Sequence, residues 1–316
     1  MSTPLIETKG LKKYFKTPRG LLHAVDDVNI VINQGETLGV VGESGCGKST
    51  LGRTIMRLLD ATGGEVLYDG DNILTYSKKK MKPMRSKMQM IFQDPFTSLN
   101  PRLSIGDIIA EPMKVTKNVK GKANMKAQIH ELMDLCGLPE RYYNTYPHEL
   151  DGGRRQRVGL ARALAVDPDF IVCDEPVSAL DVSIQAQILN LLMDLQDQKG
   201  LSYMFITHDL CVVKHISDYI AVMYLGQIVE YAPRKVLFAS PQHPYTVALL
   251  SAIPTTDLAC RSVERELLKG EVGNPIEPDP GCRFASRCKY ATEKCKEPQH
   301  LREVEKGHFV RCVLVD

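Results

Sequence analysis

Apolar positions along this chain fall into short continuous runs separated by longer stretches of helical spacing. Thr37-Leu-Gly-Val-Val41 is strand-sized, a glycine-rich loop follows, and Thr50 to Leu59 has helical periodicity. Phe170-Ile-Val-Cys173 repeats the pattern: it leads into Asp174-Glu175-Pro176, and Ile184 to Gln198 then carries apolar residues three and four apart. A third run, Tyr203 to Thr207, ends at His208. Strands alternating with helices predict a parallel sheet covered on both faces, an α/β fold.

From about residue 94 to 165 the strand signal disappears. Ile105 to Val115 and Met125 to Cys136 read as helices, and Lys114 to Lys126 as a solvated loop between them. After about residue 240 the texture changes again, with Pro241, Pro244, Pro254, Pro275, Pro278 and Pro280. A segment so punctuated is not expected to continue the sheet. The expected division is therefore residues 1–240 as the main domain, with a helical subdomain at about 94–165, and residues 241–316 as an extension.

Composition narrows the function. A net charge of +2 lacks the basic excess of a dedicated nucleic-acid binder. No apolar run approaches the roughly 18 to 20 residues of a bilayer-spanning helix, and Met1 to Gly10 lacks the layout of a signal peptide. A cytosolic chain is expected, unless another subunit holds it at a membrane. Of nine cysteines, Cys282, Cys288, Cys295 and Cys312 crowd into the last 35 residues. In a reducing compartment such crowding points to a metal site rather than disulfides; the alternative is four reduced thiols in a small apolar cap.

The strongest chemical signal is Gly42-Glu43-Ser44-Gly45-Cys46-Gly47-Lys48-Ser49, followed by Thr50, which fits the phosphate-cradling loop G-x-x-x-x-G-K-[ST] between a strand and a helix. Glycines let backbone N–H groups converge on a phosphate, and the helix N-terminus favours the same anion. Lys48 adds a full charge near the β- and γ-phosphates, and the Ser49 hydroxyl is a Mg²⁺ ligand. Cys46 reads as a small loop residue, exposed enough to be oxidisable. Asp174-Glu175 closes an apolar strand on the edge where such folds bind ligands. Asp174 is expected to hold Mg²⁺ through water, and Glu175 to polarise the attacking water.

With these motifs in order, residues 5 to 240 resemble the ATP-binding cassette (ABC) ATPases. The resemblance implies a P-loop ABC domain: a mainly parallel sheet with helices on both faces, a small antiparallel β subdomain and a helical subdomain. By the same resemblance Gln93 is the Q-loop glutamine, sensing the γ-phosphate and Mg²⁺. Leu150 to Arg157 is the signature motif, followed by a helix from Val158 to Ala165. Asp181 in Ser178-Ala-Leu-Asp181 belongs to the D-loop, and His208 is the switch histidine. Phe15 takes the place of the aromatic that stacks on adenine, with Tyr14 the next choice.

The signature departs from the family's Leu-Ser-Gly-Gly-Gln: here it reads Leu150-Asp151-Gly152-Gly153-Arg154. In the family this motif closes over ATP held by a partner's P-loop, with the serine donating to the γ-phosphate. An ionised Asp151 donates nothing, and at about 4 Å its repulsion is about 1 to 4 kcal/mol. The other reading makes Asp151 a plain helix N-cap, neutralised by Arg154 or Arg155. The expectation attached to the first reading is pairing with a different ATPase subunit, with hydrolysis at this chain's own P-loop and a slow site under its signature.

Beyond residue 240, Ser240-Pro-Gln-His-Pro-Tyr-Thr246, Leu249 to Pro254, Asn274-Pro-Ile and Gly281 to Cys288 resemble the extension of oligopeptide and dipeptide importer ATPases. Gln93 to Pro101 is similar to their F-type subunit. The cysteine spacing C-x5-C-x6-C-x16-C is neither a zinc ribbon nor a ferredoxin run. Some proteins resembling this chain carry a [4Fe–4S] cluster there, with Zn²⁺ as the alternative. The resemblance implies an ATP- and Mg²⁺-dependent ATPase at the cytoplasmic face of the cell membrane. Its implied partners are a second, non-identical ABC ATPase and two transmembrane permeases, with an extracytoplasmic binding protein acting indirectly and no nucleic acid. Short peptides are the implied cargo; nickel chelates, glutathione and oligosaccharides are alternatives. A soluble ABC ATPase acting on ribosomes or DNA is the rival from another class.

Overall fold

The computed structural model describes residues 4–117, 121–178, 180–253, 270 and 273–315; Pro254 and Cys260 lie outside them. In chain order the elements begin with β1 (Ile6–Thr17), β2 (Gly20–Ile32), β3 (Thr37–Val41), α1 (Lys48–Ile55), β4 (Gly63–Tyr68) and β5 (Asp71–Asn72). There follow α2 (Lys78–Lys87), β6 (Met88–Ile91), α3 (Pro95–Ser98), α4 (Ile105–Thr116), α5 (Lys122–Leu135) and α6 (Gly152–Leu164). The second half brings β7 (Phe170–Asp174), α7 (Val182–Lys199), β8 (Ser202–Ile206), α8 (Leu210–Ile216), β9 (Tyr219–Tyr224) and β10 (Gln227–Pro233). Last come α9 (Arg234–Ala239), α10 (Pro244–Ser251), β11 (Arg302–Glu305) and β12 (His308–Val310).

The chain divides into two units, one of Met1–Ile32, Glu36–Leu74 and Thr207–Asp316, the other of Asn33–Gly35 and Thr75–Ile206. In the first, β2-β1-β4-β5 form an antiparallel sheet. A second sheet of this unit runs β11-β12-β10-β9-β3, with β3 parallel to β9 and the other pairs antiparallel. Every residue of β3 is buried, as the unbroken apolar run from Leu38 to Val41 requires of a strand covered on both faces. In the second unit β8, β7 and β6 pair in parallel, and β7 and β8 are again wholly buried. The fold is thus an α/β architecture with mixed sheets.

Three expectations need correcting here. The proline-rich C-terminal segment does continue a sheet: β12 pairs with β10 through Glu230 and Val310, and β11 pairs with β12. Its prolines lie outside those two strands, so no ladder donor is lost. The helix expected from Val158 starts instead six residues earlier, at Gly152, because Asp151 is a competent N-cap. The expected loop from Lys114 to Lys126 shrinks to the interval between Thr116 and Lys122, of which residues 118–120 lie outside the description.

The junction between the sheet and its C-terminal continuation is polar, with Glu230 as its hub. Glu230, fully buried, faces His308 at 2.8 Å and accepts the backbone N–H groups of Gln242 and His243 at 2.8 and 2.9 Å. Burial pushes the neighbouring His243 imidazole down to about 4, so it stays neutral.

Candidate nucleotide site

In the first unit, β3 runs directly into the expected phosphate loop. Gly42 lies at φ 153°, where a Cβ would sit 2.1 Å from the Met223 carbonyl oxygen; Gly47 lies at φ 105°, with Ala24 oxygen at 2.0 Å. Only glycine allows either approach. Ser44 and Gly45 form the exposed crest of the loop. Lys48 is buried, and its Nζ donates to the carbonyls of Gly42 (2.8 Å) and Glu43 (2.9 Å). Gly47 caps α1 without a side-chain acceptor, and the first turn, which includes Ser49 and Thr50, holds no acidic residue. A helix end of this kind offers N–H groups to an anion.

Cys46 departs from expectation. It is 2% exposed, and burial pushes its thiol up although Lys48 Nζ lies 3.8 Å away. A buried, protonated thiol of this kind is protected from oxidation.

The β1–β2 hairpin separates its two aromatic candidates. Tyr14 is committed elsewhere: its hydroxyl donates to Asp26 and its ring stacks on His23 at 3.9 Å. Phe15, on the opposite face of the strand, stays partly exposed beneath the Lys13 ammonium, 4.9 Å from the ring centroid. Phe15 is the better platform for a base.

The second unit carries the acids. Asp174 is fully buried at the end of β7. Glu175 follows in a left-handed conformation, φ 46°, which costs a non-glycine residue about 1 to 3 kcal/mol and is typical of functional positions. Its backbone N–H donates to Ile206 oxygen at 2.9 Å. Gln93 is exposed, and its Nε2 donates to Glu175 Oε2 at 2.9 Å, so these two expected site residues meet. Asp181 caps α7 without a side-chain hydrogen bond and is exposed. His208, in the first unit, is exposed just ahead of α8, whose first turn is capped by Asp209.

The signature segment settles into the capping geometry. Asp151 Oδ1 accepts the backbone N–H of Arg154 at 2.8 Å, and Oδ2 pairs with its guanidinium at 2.5 Å. Gly152 and Gly153 form the first turn of α6 behind that cap. Arg155 turns away instead, donating to the Pro147 carbonyl at 2.8 Å with its guanidinium over Phe96.

No spacing along the chain points to Tyr245 and Arg287, yet both bond to Glu43, 202 and 244 residues away. The C-terminal region also contributes Phe284 to the apolar core around Tyr224, Tyr245 and Leu225, against which Cys282 and Cys288 pack. Burial raises the Cys282 thiol to about 11, with the charges of Cys295, Cys312 and Cys288 adding to the effect. Cys288 and Cys312 are raised in the same way. The four sulfurs therefore share one electrostatic neighbourhood. The metal site expected of them, a [4Fe–4S] cluster or Zn²⁺, is not found: among the described residues, no group of three or more His, Cys, Asp or Glu side chains could hold a metal ion.

Comparison with known proteins agrees with these features. The ABC transporter family model matches residues 25–178, and the model of the oligopeptide/dipeptide transporter C-terminal region matches residues 229–295. The chain is 52% identical over 313 residues to the oligopeptide transport ATP-binding protein OppF of Bacillus subtilis (strain 168), covering 99% of this chain and 97% of that protein. It is 47% identical over 322 residues to the dipeptide transport ATP-binding protein DppF of Haemophilus influenzae, covering 100% and 98%. Among solved structures, the dimeric ATP-binding cassette MJ0796 in a post-hydrolysis state with ADP and Pi superposes with a TM-score of 0.67 at 28% identity, covering 72% of this chain and 98% of that one.

Proposed function

The chain belongs to the ABC transporter ATP-binding family, in the branch with the oligopeptide/dipeptide C-terminal region, and on that premise we propose that it powers the import of short peptides. Members of this family are ATPases. The observation that carries the peptide reading is the near-full-length similarity to OppF, which includes the C-terminal region.

In this reading the loop from Gly42 to Thr50 binds the phosphates of ATP, with Lys48 leaving the loop carbonyls for the β- and γ-oxygens and Ser49 taking Mg²⁺. Phe15 stacks on the adenine. Asp174 and Gln93 serve Mg²⁺, Glu175 orients the attacking water, and His208 reads the γ-phosphate. The hydrogen bond between Gln93 and Glu175 supports this, since it keeps the carboxylate oriented and accepting. The segment Asp151-Gly152-Gly153-Arg154 serves ATP bound to a second, non-identical ATPase, with Asp181 at the contact. Two permeases complete the transporter and hold the chain at the cytoplasmic face of the membrane. Among the described residues no helix is long and apolar enough to cross that membrane itself.

For the cysteines the cluster reading rests on the family resemblance and on four thiols crowded in one short segment, since in a cubane each thiolate binds a different iron. Cys282, Cys288, Cys295 and Cys312 would hold a [4Fe–4S] cluster whose role is to tie together a segment with little core of its own. Iron and sulfide analysis of anaerobically purified chain checks this, and an iron-free, fully folded protein rejects it.

The experiment for the whole reading is a pull-down of the tagged chain from detergent-solubilised membranes of its host. Two permeases and a distinct second ATPase are expected. Recovery of ribosomal or DNA-associated proteins without a permease overturns the transport reading.

A further inference from the structure

Glu43, inside the phosphate loop, is held at each of its polar groups. Its backbone N–H donates to the Tyr245 hydroxyl at 2.9 Å, and its carbonyl accepts from Lys48 Nζ at 2.9 Å. Its carboxylate is gripped by both terminal nitrogens of Arg287, Nη1 to Oε2 at 2.7 Å and Nη2 to Oε1 at 3.0 Å. This fork-to-fork geometry is the strongest form of charge-assisted pairing. The Arg287 side chain is only 5% exposed and Glu43 25%, so solvent screens the pair weakly.

Arg287 is placed by its own neighbourhood. It closes a 3-10 turn, Ala285–Arg287, seated by the buried Phe284. Phe284 meets the Tyr224 ring edge-on and the Tyr245 ring at a tilt, both with centroids 5.4 Å away. Arg287 Nη1 also lies 3.4 Å from the Tyr224 hydroxyl. Tyr245 belongs to α10, so two separate elements of the C-terminal region meet on one residue of the loop. Four residues before Arg287, Arg283 makes a comparable anchor, pairing with Asp26 of the β2 strand and donating to the Leu225 carbonyl.

A carboxylate is out of place in a loop that cradles phosphates, because its charge opposes theirs at short range. Arg287 cancels that charge and fixes the peptide whose carbonyl Lys48 uses. We infer that Arg287 is a positioning residue for ATP, which makes the C-terminal region a working part of the nucleotide site. The inference rests on reading Gly42 to Thr50 as the ATP site.

The test titrates the full chain and its variants with a fluorescent ATP analogue, alongside steady-state ATPase measurements. If the unmodified chain binds no nucleotide, the ATP reading itself falls. If it binds, Arg287→Met is expected to weaken ATP about tenfold, the loss of one close charge partner, with KM rising more than kcat falls. Arg287→Lys, which keeps the charge but not the fork, should recover most of that affinity. The deciding variant is Arg287→Met with Glu43→Gln: removing the uncompensated carboxylate should bring binding back toward that of the unmodified chain. Unchanged affinity in Arg287→Met, or a double variant as weak as the single one, overturns the inference and leaves Arg287 a structural residue. Where Arg287→Met does not fold, Arg287→Gln, which also removes the charge, gives the same comparison with and without Glu43→Gln.

Discussion

Helix α1 begins at Gly47, which offers its first turn no side-chain acceptor and no acid, whereas α6 begins at Asp151, whose carboxylate accepts the Arg154 N–H at 2.8 Å. By family pattern both helix ends face a phosphate. The first is held open by glycines at which a Cβ would lie 2.1 and 2.0 Å from backbone oxygens, with Lys48 parked on loop carbonyls. The second is already satisfied by its own side chains. An end with no capping side chain and no acid gains from an anion that arrives. A carboxylate-capped end gains less, since the incoming charge meets one of the same sign. The contrast predicts strong nucleotide binding at α1 and weak support of a partner's nucleotide at α6.

The largest expected effect isolates chemistry from binding. Glu175→Gln keeps the shape and the contact with Gln93 but removes the charge that orients water. ATP turnover should fall by about 10² to 10⁴, while α1 still binds ATP in a filter or fluorescence assay. Turnover within a small factor of the unmodified chain would move the base elsewhere. Next is Gly47→Ala, which closes the open end directly. A methyl at φ 105°, 2.0 Å from a backbone oxygen, cannot be absorbed by side-chain motion. A loss of about 100-fold in ATP affinity is expected from strain of this order; wild-type affinity would mean the loop does not need its curl.

How far these ends were legible in sequence differs for a physical reason. The P-loop and Asp174-Glu175 are local patterns, in which residue type and spacing alone force the conformation, and the strands leading into them are buried apolar runs. Asp151 left two readings open in sequence because Asp caps a helix as well as Ser; the cap through the Arg154 N–H is visible only in the structure. The grip of Arg287 and Tyr245 on Glu43 was invisible, since it joins residues more than 200 positions apart. The strands β11 and β12 were missed because prolines dominate the segment's composition while sparing the residues that pair. The crowding of cysteines was legible, but not their geometry, which depends on how the turns around Phe284 pack.

A smaller effect reads the cap itself. Asp151→Ala removes the acceptor for Arg154 N–H and should cost about 1 kcal/mol of stability, about 2 °C in a melting experiment on a chain of this size. Asp151→Ser and Asp151→Asn keep an acceptor and should restore most of it. If all three melt alike, the carboxylate is not capping α6 in solution.

The finest test asks whether the cap's charge matters to a partner's nucleotide. The Asp151–Arg154 pair is exposed, with side chains 58% and 45% accessible, so its own stability contribution is about 0 to 1 kcal/mol. Its effect on a phosphate is separable from stability by changing the two residues in turn. Arg154→Ala leaves the carboxylate without its counter-ion and should lower turnover of the assembled complex. Asp151→Ser removes the charge, keeps a cap and supplies a hydroxyl donor, so turnover should rise by a few-fold, the scale of one exposed charge. Opposite signs from two variants of near-equal stability can come only from charge at the helix end. Equal or parallel changes would show that no phosphate approaches α6, and would remove the ground for an asymmetric pair of sites.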